Sequence, residues 1–202
     1  MEIKKENVIA AYQTGDDRVK DMLRTMFPDI EFEADTKADS RSITERVKTF
    51  EDACRELGEN HPFVKAAKAP CGQCDDCESC NVANMESDLV AFLKLRVICA
   101  ALNEGWEPQF TEDEYRWYPW HILWTKDELA EKDEEWKQRE ALIDTGNYVT
   151  DHAGFACAGS VCVASGADAR FGSRLCLKSE ALSDYCGTQF IRLWADFKLR
   201  RK

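Results

Sequence analysis

The sequence predicts an α+β fold in which N-terminal helices surround a central buried helix and a small, mostly antiparallel sheet is covered by a C-terminal helix. Apolar residues with helical spacing dominate the N-terminal half of the chain. The helix predicted from Ser87 to Asn103 is apolar around most of its circumference, which is typical of a core helix. After Tyr148 the period changes to that of strands, before one last helix. We therefore expect a single α+β domain over residues 1–202.

Two short helices are predicted at the N-terminus, over residues 7–12 and 17–26. The second has an apolar stripe and is expected to end before Pro28, because proline cannot continue a helix. Residues 30–41 are polar, acidic and without a clear period, so they predict a mobile linker.

Two stronger helices follow this linker. The first is expected to begin with a capping box of Ser42 and Glu45 and to end at Gly58. Its apolar face would consist of Val47, Phe50, Cys54 and Leu57. The second is expected to begin at Ser87 and to end before Gly105, and it would form the centre of the core.

A strand is predicted over residues 118–124, where Pro119 favours the start of a strand or the edge of a sheet. Directly after it, Thr125 and Glu128 have the spacing of a second capping box. We expect this box to open a highly charged helix that continues to about Glu140.

The C-terminal part is predicted to complete the sheet and cover it. Residues 155–163 predict a hairpin that turns near residues 159–160, and residues 174–177 predict a further strand. Ser179 is expected to cap the last helix. The buried stripe of that helix would consist of Leu182, Cys186, Phe190, Leu193 and Phe197.

The charge balance excludes some classes of partner. Lys and Arg number 27 against 38 Asp and Glu, which gives a net charge of −11. Bulk charge of this sign disfavours proteins that coat duplex DNA or an anionic membrane, although a local basic face is compatible with it. We find no export or membrane segment, since the longest apolar stretch is interrupted by Lys94 and Arg96. We expect a cytoplasmic protein with no membrane partner.

The sharpest chemical feature is a cluster of four cysteines in an expected cysteine-rich, metal-binding insertion at residues 61–86. Its ligands would be Cys71, Cys74, Cys77 and Cys80, which form three consecutive C-x2-C steps. In a reducing compartment this pattern predicts a metal site, and four thiolates in a tetrahedral shell suit structural zinc. An iron–sulfur cluster is the alternative, but Asn81 follows the last cysteine where ferredoxin-type runs have proline. A surface loop without a physiological metal is the third interpretation.

The second candidate site is an aromatic run over residues 106–124. These side chains could build the core, stack on the bases of single-stranded nucleic acid, or form a patch that binds protein. Basic residues within the run and on the neighbouring predicted strand could contribute to either surface. The candidate binding residues are Trp106, Tyr115, Arg116, Trp117, Tyr118, Trp120, Arg174 and Lys178.

No catalytic signature is complete. His61, His121 and His152 are the only histidines, and they lack the spacing of a helical metal pair. Nucleophile-elbow, phosphate-loop, dinucleotide-turn and zinc-deaminase motifs are absent from the sequence. We therefore expect a non-enzymatic protein.

Several stretches of the chain outside the cysteine segment carry a resemblance. They are VIAAY at 8–12, ERVKTFEDAC at 45–54, ALNEGW at 101–106 continuing to YPW at 118–120, GSRLCLKS at 172–179, and QF at 189–190. These stretches resemble an uncharacterised family encoded by bacteriophages and prophage-like elements of anaerobic gut bacteria. The resemblance implies a mobile-element protein in a bacterial cytoplasm, and it implies no activity. Relative to most of that family, the segment from Cys71 to Cys80 looks like an insertion.

These observations predict a phage-type binding protein with a structural zinc loop. Its expected partner is another protein, engaged through the aromatic run or the acidic helix. A single-stranded nucleic-acid accessory protein that uses residues 106–124 is the alternative. An iron–sulfur redox protein is a third hypothesis.

Overall fold

The computed structural model describes residues 4–14, 17–28, 30, 41–68, 86–111, 114–163 and 174–202. The chain divides into two compact units, residues 1–42 and 43–202, and each is described by itself. A single domain over residues 1–202 stays a prediction. The predicted linker lies outside the described residues except for its two ends, Ile30 and Arg41.

The first unit contains α1 (Lys5–Thr14) and α2 (Asp17–Met26), which confirms the two predicted helices. Val8 and Tyr12 of α1 are buried together with Leu23 of α2. Further apolar side chains pack against this small cluster, namely Val19, Phe27 and Ile30. The helical periodicity of the two segments is therefore used to bury one face of each.

The second unit opens with α3 (Ile43–Arg46) and α4 (Phe50–Leu57), so the single helix predicted from Ser42 to Gly58 is wrong. The chain breaks between them because Thr49 and Asp52 form a capping box. The Thr49 hydroxyl accepts from the Asp52 amide at 3.1 Å, and the Asp52 carboxylate accepts from the Thr49 amide at 2.9 Å. These side-chain bonds satisfy the amides of a new helix start inside the predicted one.

The centre of the core is α6 (Ser87–Leu102), as predicted, and it packs against α4, α5 (Pro62–Lys68) and the last helix of the chain. Its buried residues are Ala91, Leu95, Val97, Ile98, Cys99, Ala101 and Leu102. Residues 61–68 of the predicted insertion contribute to this core, because Val64 and Ala67 are buried. Residues 69–85 lie outside the described residues.

Strand β1 (Arg116–Trp124) includes the predicted strand and begins two residues before it. The Thr125–Glu128 capping box is confirmed, with the Thr125 amide 2.8 Å from the Glu128 carboxylate. The charged helix it opens is shorter than predicted. It ends as α7 (Lys126–Ala130), and Asp133 then caps a separate helix, α8 (Glu134–Arg139).

The sheet is antiparallel with strand order β1-β3-β2, where β2 is Ile143–Asp144 and β3 is Gly154–Val163. The predicted hairpin over 155–163 is wrong, because these residues form one strand that pairs with β1 along its length. Gly159 supplies a bulge instead of a turn. Trp120 pairs with Gly159 and His121 with Cys157, so β3 has one extra residue there, and Gly159 has a φ of +121°.

Two helices cover the sheet. Ser179 caps α9 (Glu180–Gln189) as predicted, but the last helix is interrupted at Phe190 and continues as α10 (Ile191–Lys198). Helix α9 packs on β1 and β3, and α10 packs on α6 and β3. In the strand predicted at 174–177, the described pairing is a single bridge between Leu177 and Trp117.

The predicted α+β class is confirmed, with helices around a central helix and a small antiparallel sheet beneath the C-terminal helices. Within the described ranges, the helices are too short or too polar to cross a membrane.

Candidate ligand-binding cleft

The four cysteines of the predicted metal site, Cys71, Cys74, Cys77 and Cys80, lie outside the described residues. Among the residues that the structure describes, His, Cys, Asp and Glu side chains form no group of three or more that could hold a metal ion. Zinc and its iron–sulfur alternative therefore stay predictions.

The predicted aromatic surface is not continuous, because some of its residues are buried and others are exposed. Tyr118 is buried with Cys176, and Trp106 packs against both of them. Trp117 is half-buried and pairs through its backbone with Leu177. Other members remain accessible, because Tyr115 is 59% and Trp120 52% exposed.

Arg116 lies in the interior rather than on the surface, with an exposure of 0%. Its guanidinium lies 3.2 Å from the Glu114 carboxylate and 4.3 Å from the centre of the Phe110 ring. Burial opposes the charged form of Glu114, but hydrogen bonds from the Gln109 and Phe110 amides and from Arg116 outweigh it and lower the pKa of this carboxyl. Arg116 therefore holds the loop before β1 in place and does not face a ligand.

Lys178 is also engaged within the protein. Its ammonium lies 2.9 Å from the Glu104 carboxylate, which also accepts from Arg46 at 2.8 Å. The hydrogen bond from Lys178, together with the two cations, lowers the pKa of Glu104. This network joins α3, the end of α6 and the segment before α9.

The structure brings Tyr118, Trp120 and Arg174 together at a cleft with a volume of about 640 Å³. The walls are mostly apolar, half of the lining residues are aromatic, and they come from α6, β1, β3, α10 and the segment before α9. The remaining lining residues are Phe92, Pro119, Val161, Leu175, Trp194, Phe197 and Lys198. This size and this lining are typical of ligand-binding clefts in proteins. Trp106 lies outside it, on a neighbouring cavity of about 280 Å³ that Arg174 also lines.

Lys198 and His121 form a polar pair beside this cleft. The Lys198 ammonium donates to His121 Nδ1 at 2.9 Å and to the Pro119 carbonyl at 3.4 Å. His121 Nε2–H donates to the Gly187 carbonyl at 3.3 Å, which assigns the neutral tautomer of this ring. The carbonyls of Trp117 and Pro119 point to the same edge of β1, because the two residues are two positions apart in a strand. At this edge the Trp117 carbonyl accepts from the Leu177 amide at 2.9 Å and the Pro119 carbonyl accepts from Lys198.

The surroundings of the pair set its charge. Burial between aromatic rings, aided by the Lys198 charge, lowers the pKa of His121 to about 3, so the imidazole is neutral at physiological pH. Lys198 is exposed as a residue, but its ammonium lies 5.3 Å from the centre of the Trp194 ring. Burial of this ammonium group lowers the pKa of Lys198 to about 8, so most Lys198 side chains stay charged at neutral pH.

His121, Phe92, Trp194 and Lys198 were not among the binding residues predicted from the sequence. The interruption at Phe190 brings Trp194 and Lys198 beside β1. The sequence predicted a strand over residues 118–124 and a C-terminal helix that covers the sheet. It did not predict the contact between residues far apart in the chain.

The arrangement can hold an apolar group against the apolar walls and place the positive charges of Lys198 and Arg174 at its side. Comparison of the chain with known protein families, with functionally characterised proteins and with solved structures found no match. The resemblance to a phage family therefore stays a prediction.

Proposed function

We propose that this chain is a non-enzymatic binding protein and that its cleft receives an apolar segment of a partner protein. The observation that carries the proposal is the aromatic cleft of about 640 Å³, on which three of the predicted binding residues converge. The phage-type, cytoplasmic context and the structural zinc loop formed by Cys71, Cys74, Cys77 and Cys80 are parts of the same proposal that rest on the sequence.

Trp120 supports a protein partner most directly. It lines the cleft and is 52% exposed, so its ring offers a large apolar surface with one side open. Tryptophan, tyrosine and arginine are the residues that most often dominate the energy of protein interfaces, and the cleft contains all three types. A partner side chain inserted there would complete the contacts of Trp120.

Single-stranded nucleic acid is the alternative, and the support for it is reduced. Of the basic residues predicted to line that surface, Arg116 is buried and Lys178 is paired with Glu104. Arg174 is exposed and lines the cleft. Together with Lys198, Arg174 gives the cleft two cations, which is less than the continuous positive groove that binds the backbone of single-stranded nucleic acid.

To test this proposal, peptides that bind the whole protein are selected from a displayed random library. Their affinities are then measured by fluorescence anisotropy. We expect Trp120→Ala to weaken the selected peptides about tenfold, which is typical for truncation of a central aromatic residue. Tyr115→Ala is the matched control, since Tyr115 is 59% exposed and lies outside the cleft.

Two results would overturn the proposal. One is a selection without enriched peptides, and the other is peptide binding that Trp120→Ala leaves unchanged. Oligothymidylate titrated at low salt serves as the competing probe. Binding that quenches tryptophan fluorescence and weakens steeply with salt would favour the nucleic-acid function instead.

A further inference from the structure

The cleft is electropositive within an acidic protein. The chain has a net charge of −11, yet the described lining contains two cations, Lys198 and Arg174, and no carboxylate. Within the described ranges, neither cation forms an ion pair with an acidic side chain. An apolar wall beside these charges strengthens their attraction for an anion, because fewer water molecules screen it.

Lys198 is positioned and only partly satisfied. An ammonium group has three donors, and here two of them meet His121 Nδ1 and the Pro119 carbonyl. Both acceptors are neutral, since the pKa of His121 is lowered to about 3, so they orient the ammonium without cancelling its charge. One donor and the full positive charge are left for a ligand.

A second group of charges lines another cavity that Lys198 borders. This cavity of about 330 Å³ is lined by Lys198, by Glu86 and Asp88 at the start of α6, and by Arg200 and Arg201. Arg201 is paired with Asp196 at 2.8 Å. The remaining charges of this cavity, Lys198 and Arg200 against Glu86 and Asp88, balance in number. The net attraction for an anion is therefore on the side of the aromatic cleft.

We infer that the segment bound in the cleft carries a carboxylate next to its apolar side chain, and that Lys198 is the residue that binds this carboxylate. This inference rests on the proposed function and specifies its partner as an acidic, apolar segment of another protein. The aromatic walls would hold the apolar side chain, while the free donor of Lys198 would meet the carboxylate oxygen. Arg174, which also lines the cleft, would add long-range attraction.

The first test uses two dyes of nearly the same shape. 8-Anilinonaphthalene-1-sulfonate is an aromatic anion, and N-phenyl-1-naphthylamine lacks the sulfonate. Dissociation constants are measured by fluorescence for the wild-type chain, for Lys198→Met and for Lys126→Met. Lys126 is the matched control, because it is an exposed lysine outside the cleft.

We expect the preference for the anionic dye over the neutral dye to fall about tenfold in Lys198→Met, which is the usual effect of losing a hydrogen bond to a charged group. The affinity for the neutral dye should be unchanged, and Lys126→Met should behave as the wild type. If Lys198→Met does not fold, the inference is tested on the wild-type chain by salt titration. Its preference for the anionic dye over the neutral dye must then decrease with added salt.

The outcomes separate the two proposals. If both dyes bind and Lys198→Met leaves their ratio unchanged, the carboxylate inference is wrong and the cleft remains a binding site. If neither dye binds, or if Trp120→Ala affects neither dye, the cleft is not a ligand site and both proposals fail.

A second test identifies the source of the carboxylate. Short capped peptides with leucine and phenylalanine around a central aspartate compete with the anionic dye, beside peptides with asparagine in its place. We expect the aspartate peptide to displace the dye about tenfold better than the asparagine peptide. Equal displacement by the two peptides would overturn the inference. Better displacement by free phenylacetate than by either peptide would replace the protein segment with a small organic acid.

Discussion

His121 is held as a neutral base in the middle of an aromatic layer. Its ring stacks on Phe155 with an interplanar angle of 5° and lies 5.5 Å from the ring of Trp194. The positive charge of Lys198 approaches from α10, and the thiol of Cys157 stays neutral because burial raises its pKa. With no carboxylate among its described contacts, protonated His121 would be a buried and repelled cation.

Stability should therefore fall as the pH drops below the ordinary pKa of histidine. The unfolded chain takes up a proton near pH 6.5, whereas folded His121 does so only near its lowered pKa of about 3. Between these values the unfolded state binds more protons, so the free energy of unfolding decreases as the pH falls. We expect His121 to account for a loss of about 1–2 kcal/mol between pH 7.5 and pH 5.

The measurement is urea unfolding of the wild type and of His121→Phe at both pH values. The variant should lose less stability on acidification, because it has no imidazole to protonate at this position. His152→Gln is the control, since His152 contacts Thr150 and lies outside the aromatic layer. Equal acid sensitivity of wild type and His121→Phe would contradict this account.

The roles of His121 and Lys198 could not be predicted from the sequence. His121 is an isolated polar residue in a mostly apolar strand, Lys198 belongs to a charged C-terminal stretch, and 77 positions separate them. Their pairing depends on how β1 lies against α10, which local periodicity does not encode. By contrast, Tyr118, Trp120 and Arg174 of the cleft were among the predicted binding residues, because tryptophan, tyrosine and arginine are enriched in binding surfaces.

Helix α9 lies so close to the sheet that one position on it must be glycine. A Cβ at Gly187 would come within 2.6 Å of Cys157 Sγ and 2.8 Å of Pro119 Cβ. We expect Gly187→Ala to lower the free energy of unfolding by about 1 kcal/mol. Overpacking costs about 1–3 kcal/mol, and the gain of about 1 kcal/mol in helix propensity offsets part of this cost.

A double-mutant cycle checks that the contact is the cause. Cys157→Ala removes the sulfur, so Gly187→Ala should cost less in that background than in the wild type. The interaction energy is expected to be about 0.5 kcal/mol or more, as for residues in direct contact. Urea unfolding of the four proteins measures it, and purely additive losses would refute the packing explanation.

The beginnings of helices were more predictable than their lengths. Thr125 and Ser179 cap helices as their sequences indicate, because a cap depends on residues within one turn. Competing caps were the main source of error. Asp52 and Asp133 support new helix starts inside two predicted helices, and nothing local tells which of two adjacent caps prevails. The glycine at 159 has the same ambiguity, since a bulge and a turn both use it.

On the scale of the whole molecule, charge is distributed unevenly. The chain has a net charge of −11, while the aromatic cleft is bordered by Lys198 and Arg174. An acidic surface repels nucleic acid and other anions over distances up to about 10 Å at 0.1 M salt, so only a ligand that reaches the cleft meets the local positive field. This balance favours an anionic group on an apolar segment over an extended polyanion.

The cysteine cluster makes the last prediction, which is independent of the cleft. We expect elemental analysis of chain purified anaerobically without added metal to find about one zinc per chain, bound by Cys71, Cys74, Cys77 and Cys80. Changing Cys74 and Cys77 together to serine should abolish zinc binding, because two of four thiolates are lost. Cys162→Ser is the control, since Cys162 is a free, half-buried cysteine of β3. Iron with visible absorbance in place of zinc would indicate the iron–sulfur alternative, and absence of both metals would refute a metal site in this segment.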